Sequence, residues 1–170
     1  MQTLYMLTAV DVRRAETEGT SRATTISKLT IPPLTFFTAN HNPGGSVMAA
    51  DFTLPRIEPV EPAFMIKGID TEVFGGLGTT DRWVFAGAYR DKRKNLDVPG
   101  RAIIEGAVSQ WEPDESDPAE FQGCNHVLKE VTHIEFSLNG DELFYIDFYE
   151  RIMRFNGVDH FEGVRAALGA

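Results

Sequence analysis

Leu138-Asn139-Gly140-Asp141-Glu142-Leu143 sets the architecture of this chain. Asn139-Gly140 supplies the positive φ angles that a tight primed turn demands, so the chain reverses here and the register of two strands is fixed. Working outward, the segment before the turn, 126–138, mixes β-branched and aromatic residues with partial period-two alternation, and 142–155 has the same β-prone composition. Segments 101–111, 82–90 and 24–31 carry similar patterns. The expected fold is mainly β (α+β), an antiparallel β-sandwich or barrel. Helical signals are few: one short segment from Asp70 to Gly75, stopped by Gly75-Gly76, and a terminal helix for which Asp159 is placed as the cap. Neither a domain boundary nor an internal repeat is evident. A single domain over 1–170, long enough to bury about two-thirds of its unfolded surface, is the natural expectation.

Charge narrows the function. With 16 Lys+Arg against 25 Asp+Glu the net charge is −9, the wrong sign for gripping nucleic acid through phosphate contacts. The single Cys124 cannot form an internal disulfide, and a buried, inert thiol is a better reading than pairing between subunits. No long apolar segment or signal-peptide pattern opens the chain, so cytoplasmic synthesis without a membrane span is expected.

Residues 34–52 read as a long hairpin arm. Leu34 to Thr38 rises toward Asn40-His41-Asn42-Pro43-Gly44-Gly45, and Val47 to Phe52 returns. An isolated two-stranded arm is marginal in water. Adjacent Phe36 and Phe37 point to opposite faces of a strand, so one apolar face needs a partner beyond the arm. That partner is either a neighbouring subunit or the arm's own domain. Beyond it, Leu54-Pro55-Arg56-Ile57-Glu58-Pro59-Val60-Glu61-Pro62 carries three prolines without ladder donors, which marks an edge strand or extended linker.

The chemical constellations dissolve one by one. Gly75-Gly76-Leu77-Gly78-Thr79-Thr80 lacks the Lys-Ser/Thr ending of a phosphate loop and reads as a turn. Cys124 and His126 share one face of a strand, whereas His133, at odd spacing from both, faces the other way, so no metal cluster forms. His41 and His160 have no nearby ligand set. Glu112 to Glu120 lacks the central glycine and ligand spacing of a calcium loop and reads as a solvated acidic connection. The one basic run, Arg90-Asp91-Lys92-Arg93-Lys94, is short and interrupted. Neither a nucleophile elbow nor a zinc-protease helix is present, so no enzyme, cofactor or metal is expected.

The tail, Asn156-Gly157-Val158-Asp159-His160-Phe161-Glu162-Gly163-Val164-Arg165-Ala166-Ala167-Leu168-Gly169-Ala170, closes the chain with a turn and short helix over 156–170. It resembles the C-terminal signature of the tail-tube proteins of contractile-tailed (myovirus-type) bacteriophages and R-type bacteriocins. In that family Asn-Gly-Val-Asp precedes a short helix ending Arg-x-x-Leu-Gly. Leu29-Thr30-Ile31-Pro32-Pro33-Leu34, Pro43-Gly44-Gly45-Ser46-Val47-Met48, Phe85-Ala86-Gly87-Ala88-Tyr89-Arg90 and the 138–147 hairpin are similar in the expected order. The match runs from about residue 26 to 170, leaving 1–25 as an N-terminal segment of its own.

The resemblance implies a structural virion protein: a major tail tube protein, related in fold to the type VI secretion tube. Its copies close as homo-hexameric rings and stack into a helical polymer. It implies a tail sheath protein outside, a tape-measure protein inside during assembly, and a baseplate hub and tail terminator at the ends. Assembly would take place in the host bacterial cytoplasm. DNA would pass through without specific binding, helped by an acidic lumen, during genome ejection. The arm would pack on neighbouring subunits, making Phe36, Phe37, Asn40, Pro43, Gly44, Gly45, Val47, Met48 and Phe52 the interface candidates. The tube of a bacteriocin or secretion system, or a monomeric β-sandwich binding module, are the alternatives.

Overall fold

A computed structural model describes residues 2–15 and 20–169. Met1 and residues 16–19 of the expected N-terminal segment, and Ala170 of the C-terminal one, lie outside the described residues. The elements follow as β1 (Tyr5–Arg14), β2 (Ile26–Thr30), β3 (Phe36–His41), β4 (Ala50–Ile57), β5 (Ala63–Lys67), α1 (Thr71–Gly75), β6 (Thr80–Asp91), β7 (Leu96–Pro113), β8 (Gly123–Leu138), β9 (Asp141–Asp147), β10 (Ile152–Phe155), β11 (Val158–Asp159) and α2 (Glu162–Ala167). The mainly antiparallel β fold with two short helices is as expected. The decisive turn forms with Asn139 at φ 55° and Gly140 at φ 87°, pairing Leu138 with Asp141.

One sheet runs β1-β6-β7-β8-β9-β10-β11, every pair antiparallel. The long β8 serves two neighbours: residues 123–127 pair with β5, and residues 133–138 with β9. β5 in turn pairs β2, and β2 comes back beside β1. Strands β1, β6, β7, β8, β5 and β2 thus curl almost into a barrel, and residue alternation along each sends every second side chain inward. Val12, Phe64, Ile66, Trp83, Phe85, Ala102, Ile104, Val108, Leu128 and Ile134 fill it, with Val73 of α1 added. Phe64 is the hub: its ring stacks on His126 at 4.9 Å, lies 5.4 Å from Trp83, and meets Phe85 edge-on at 5.9 Å.

α1 is anchored by charge. Asp70 caps it by accepting the N–H groups of Glu72 and Val73, both at 3.0 Å. The buried Arg22 clasps that cap, at 2.5 Å to Asp70 and 3.0 Å to Glu72. Burial pushes the Asp70 carboxyl up, but Arg22 and the two N–H groups outweigh it and hold it below the usual carboxylate range. Arg14 pairs with buried Asp81 and donates to the Glu72 carbonyl at 3.2 Å. The helix ends at Gly76, where an added Cβ would stand 2.8 Å from the Arg14 guanidinium carbon.

Four expectations change in detail. The N-terminal segment supplies a full strand, β1, paired with β6 from Tyr5 to Arg14. The 142–155 segment is two strands, because Asp147 accepts the Glu150 N–H at 2.7 Å and Arg151 adopts φ 54°, making a turn. The arm's return strand extends past Phe52 to Ile57. Asp159 is not the N-cap of α2, a place taken by Phe161 without a side-chain bond. Asp159 accepts the N–H groups of Met153 (3.3 Å) and Phe161 (2.9 Å) and pairs with Arg165 at 2.6 Å, tying helix to sheet.

Candidate functional site

β3 and β4 form a two-stranded sheet of their own, separate from the main sheet. The arm is joined at its base, where Glu58 N–H donates to the Thr35 carbonyl at 2.8 Å and the Phe36 ring lies 6.1 Å from Phe155. Between Phe36↔Ile57 and Thr38↔Thr53 the register slips, so the single residue Phe37 faces Leu54, Pro55 and Arg56. Pro55, which has no N–H to give a ladder, occupies this bulge. The proline-rich stretch is therefore an edge strand that becomes a linker into β5.

The predicted interface residues fall into two groups. Phe36 and Phe37 stand at the base and part to opposite sides: Phe36 meets Phe155, and Phe37 opens onto the groove described below. The others stand at or near the free end. Asn40 donates to Asp51 at 2.8 Å, and Ser46 N–H reaches the Pro43 carbonyl at 3.4 Å. A side chain on Gly44 or Gly45 would meet nothing within 4 Å. Val47 is 100% exposed, Met48 70% and Phe52 60%. These apolar side chains stand uncovered at the free end of the arm.

Sequence reading missed the groove at the other end of the arm. A cavity of about 770 Å³ lies between the arm's base (Phe37, Pro55, Ile57, Val60) and the β8–β10 region of the sheet (Val131, Ile146, Ile152, Met153), with Phe161 beside it. Its lining comes from five separated stretches of chain, Phe37, 55–61, 129–134, 146–153 and Phe161, whose apolar residues read locally as ordinary ones. Only their convergence makes a site.

The face of the long-strand sheet turned from the core carries a series of charge pairs among small and apolar residues such as Val84, Ala86 and Ile103. Arg154 grips Glu142 with two bonds of 2.6 and 2.8 Å and lies 4.5 Å above the Tyr145 ring. That guanidinium holds the Glu142 carboxyl below its ordinary range. Arg90 binds Asp97 in the same two-bonded way, and Arg82 stands across from Glu105. His133 Nδ1 lies 3.0 Å from Asp147, and Nε2 is 3.7 Å from Glu135. Burial pushes Asp147 up, yet the Glu150 N–H and His133 bring it below its usual range. Residues 112–120, by contrast, hold five carboxylates and no Lys or Arg.

Cys124 and His126 are both buried on the core face, while His133 belongs to the opposite face, as their spacing requires. No group of three or more His, Cys, Asp or Glu able to hold a metal occurs among the described residues. No helix among them is long and apolar enough to cross a membrane.

The sequence matches the model of the family described as phage tail tube protein FII over residues 13–169. Comparison with curated proteins gives no match. Among solved structures, a chain in the cryo-EM structure of the anti-feeding prophage baseplate, six-fold symmetrised, superposes with a TM-score of 0.54. It shares 10% identity and covers 81% of this chain and 94% of its own. Hcp1 from Salmonella typhimurium gives a TM-score of 0.43 at 8% identity, covering 88% of this chain and 100% of its own. The family match covers every strand of the barrel except most of β1, together with the arm and the terminal helix, and the chain belongs to the phage tail tube protein FII family: it is a structural tail tube protein of a virion and not an enzyme.

Proposed function

We propose that this chain closes into hexameric rings that stack into the inner tube of a contractile tail, a conduit for genome ejection into the host. The observation that carries the reading is the arm: a separate two-stranded sheet ending in bare apolar side chains, of the kind that needs a partner to be stable. Two further features support it. The main sheet ends in β1, an edge strand whose Tyr5, Met6 and Leu7 are exposed, and ring closure is a way of covering such an edge. The structural likeness to a chain in a six-fold symmetrised baseplate supports six-fold rings.

In this reading a sheath surrounds the tube, a tape-measure protein occupies it during assembly in the host cytoplasm, and baseplate hub and terminator close its ends. Six copies at −9 carry a formal charge on the order of −54 per ring, which disfavours DNA adhesion. The second reading keeps the fold and changes the system: the tube of a phage-tail-like bacteriocin or secretion system, a particle that delivers no genome.

Negative-stain electron microscopy of the purified protein over a concentration series tests the reading. Hollow tubes or stacked six-fold rings are expected. A monomer that persists even with a baseplate nucleus added overturns it and gives priority to a binding module using the groove. A capsid and a terminase encoded beside the chain separate the phage from the genome-free particle.

A further inference from the structure

Two charged motifs at opposite ends of one strand take no part in the arm or the core. β7 runs 18 residues, a contour of about 56 Å at 3.3 Å per residue. Before it, the β6–β7 turn exposes Lys92, Arg93 and Lys94, none of which pairs with a carboxylate among the described residues. Buried Asp91 is engaged with the turn's backbone, accepting the N–H groups of Arg93 at 2.8 Å and Lys94 at 3.1 Å. Below the turn Arg90 and Asp97 neutralise each other, and the neighbouring turn adds one carboxylate, Asp141. After β7, the exposed 112–120 stretch carries Glu112, Asp114, Glu115, Asp117 and Glu120 and no cation of its own. Lys67 stands at the root of that loop, opposite Gly123 in the ladder. Both ends are also apolar: Leu4 and Leu96 are bare beside the basic turn, Ile69 and Phe121 beside the acidic loop.

Resting on the tube reading above, we infer that the acidic 112–120 loop of one copy seats on the basic 92–94 turn of a copy in the next ring, and that this pairing gives the stack its polarity. Charge complementarity selects a second copy as the occupant, because each chain brings at one end the sign that its other end lacks. Contact between like ends would set five carboxylates against five, or three cations against three, and like charges across an interface reject such a pairing. Head-to-tail stacking is the arrangement left. Since the two surfaces lie beyond opposite ends of the same strand, the contact is heterologous and repeats in one direction without closing on itself. Phe121 and Ile69 on one side, and Leu4 and Leu96 on the other, supply the apolar area that a charged rim alone does not. Exposed charges are screened beyond about 10 Å at 0.1 M salt, so the pairing acts at short range and weakens as salt is added.

Charge reversal at each end, then at both, tests this. K92E/R93E/K94E leaves both ends acidic, and D114K/E115K/D117K leaves both basic. Each is expected to raise the concentration needed for tubes by about tenfold or more, and the variant carrying all six substitutions, in which the ends are exchanged, to bring it back within about threefold of the parent. All six side chains are exposed and outside the core, so the circular dichroism of each monomer should match the parent's. The parent itself, which needs no substitution, should require about tenfold more protein for tubes at about 500 mM NaCl than at about 50 mM. A parent indifferent to salt, a one-end reversal that assembles like the parent, or a six-substitution variant that assembles no better than the one-end reversals overturns the pairing and leaves the tube reading intact. Reversal of the acidic end that is harmless to tubes gives that loop to a different partner and overturns the pairing in the same way. A parent that forms neither rings nor tubes, even with a baseplate nucleus added, overturns both.

Discussion

Deleting residues 40–46 separates the arm's role in assembly from the fold. In the intact arm Ala39 pairs with Phe52, followed by Asn40↔Asp51 and His41↔Ala50. The deletion joins Ala39 to Val47, so residues 47–51 become a five-residue loop closing on the surviving Ala39↔Phe52 pair, a length that hairpins accept. The losses are the exposed Asn40–Asp51 bond and the His41–Phe52 ring contact at 6.4 Å, about 0.5–1.5 kcal/mol together. Shortening the loop from eight residues to five returns about 0.4 kcal/mol. No residue of 36–57 belongs to the buried core cluster, so the expected net cost is about 1 kcal/mol or less, or a melting shift of about 2–4 °C. Assembly should suffer far more. Val47 and Met48 retreat by two residue pairs, and at about 1.5–3 kcal/mol each, their lost burial weakens every stacking contact by about 10²- to 10⁴-fold. Calorimetry reads the first quantity, and size-exclusion chromatography with electron microscopy the second. Normal-length tubes from the deletion refute the assembly role; a melting loss above about 8 °C refutes the arm's independence from the core.

Other outcomes follow from the interior. Phe64→Ala empties the position that touches Trp83, Phe85 and His126, and should cost about 3–5 kcal/mol in denaturant unfolding. Arg22→Met leaves Asp70 and Glu72 without their cation, and a loss of about 3 kcal/mol is expected at neutral pH, shrinking in acid as Asp70 protonates. Burial holds His126 neutral, below its ordinary pKa, so the unfolded chain takes up a proton more readily. Stability from this source is whole above about pH 6.5 and falls as pH drops toward the folded value. His126→Phe should flatten that slope in melts run from pH 7.5 to 5. Gly140→Val forces a β-branched side chain to φ 87° and should cost about 1–2 kcal/mol by thermal melting.

The parts legible in the sequence were those with local causes. Asn139-Gly140 announced its turn because few other pairs tolerate two positive φ angles, and the three prolines of 54–62 announced an edge because they remove donors. What stayed hidden depended on distant partners. Asp147 to Arg151 breaks a strand with no Gly or Pro, using a side-chain bond and a positive φ at arginine, so composition carried no sign of it. β1 has its alternation interrupted by the slip between Leu7 and Ala9, which masks its period. Asp159 looked like a cap because caps are common there; its other oxygen was needed by Arg165. The groove could not be read at all, since Val60, Val131 and Ile152 meet only when β8 and β10 lie beneath the base of the arm.

The bulge at Phe37 has a mechanical consequence. A flat ladder shares load among all its hydrogen bonds, but here three residues of one strand face a single residue of the other, so bending at the arm's root concentrates on one place. Pro55 stiffens that place, since its φ is fixed and it has no donor whose bond could be broken. A pull on the tip then reaches Phe36 against Phe155, and through it the strand that Arg165 and Asp159 tie to the terminal helix. The arm behaves as a cantilever with a braced root, and the far end of the chain supplies the brace.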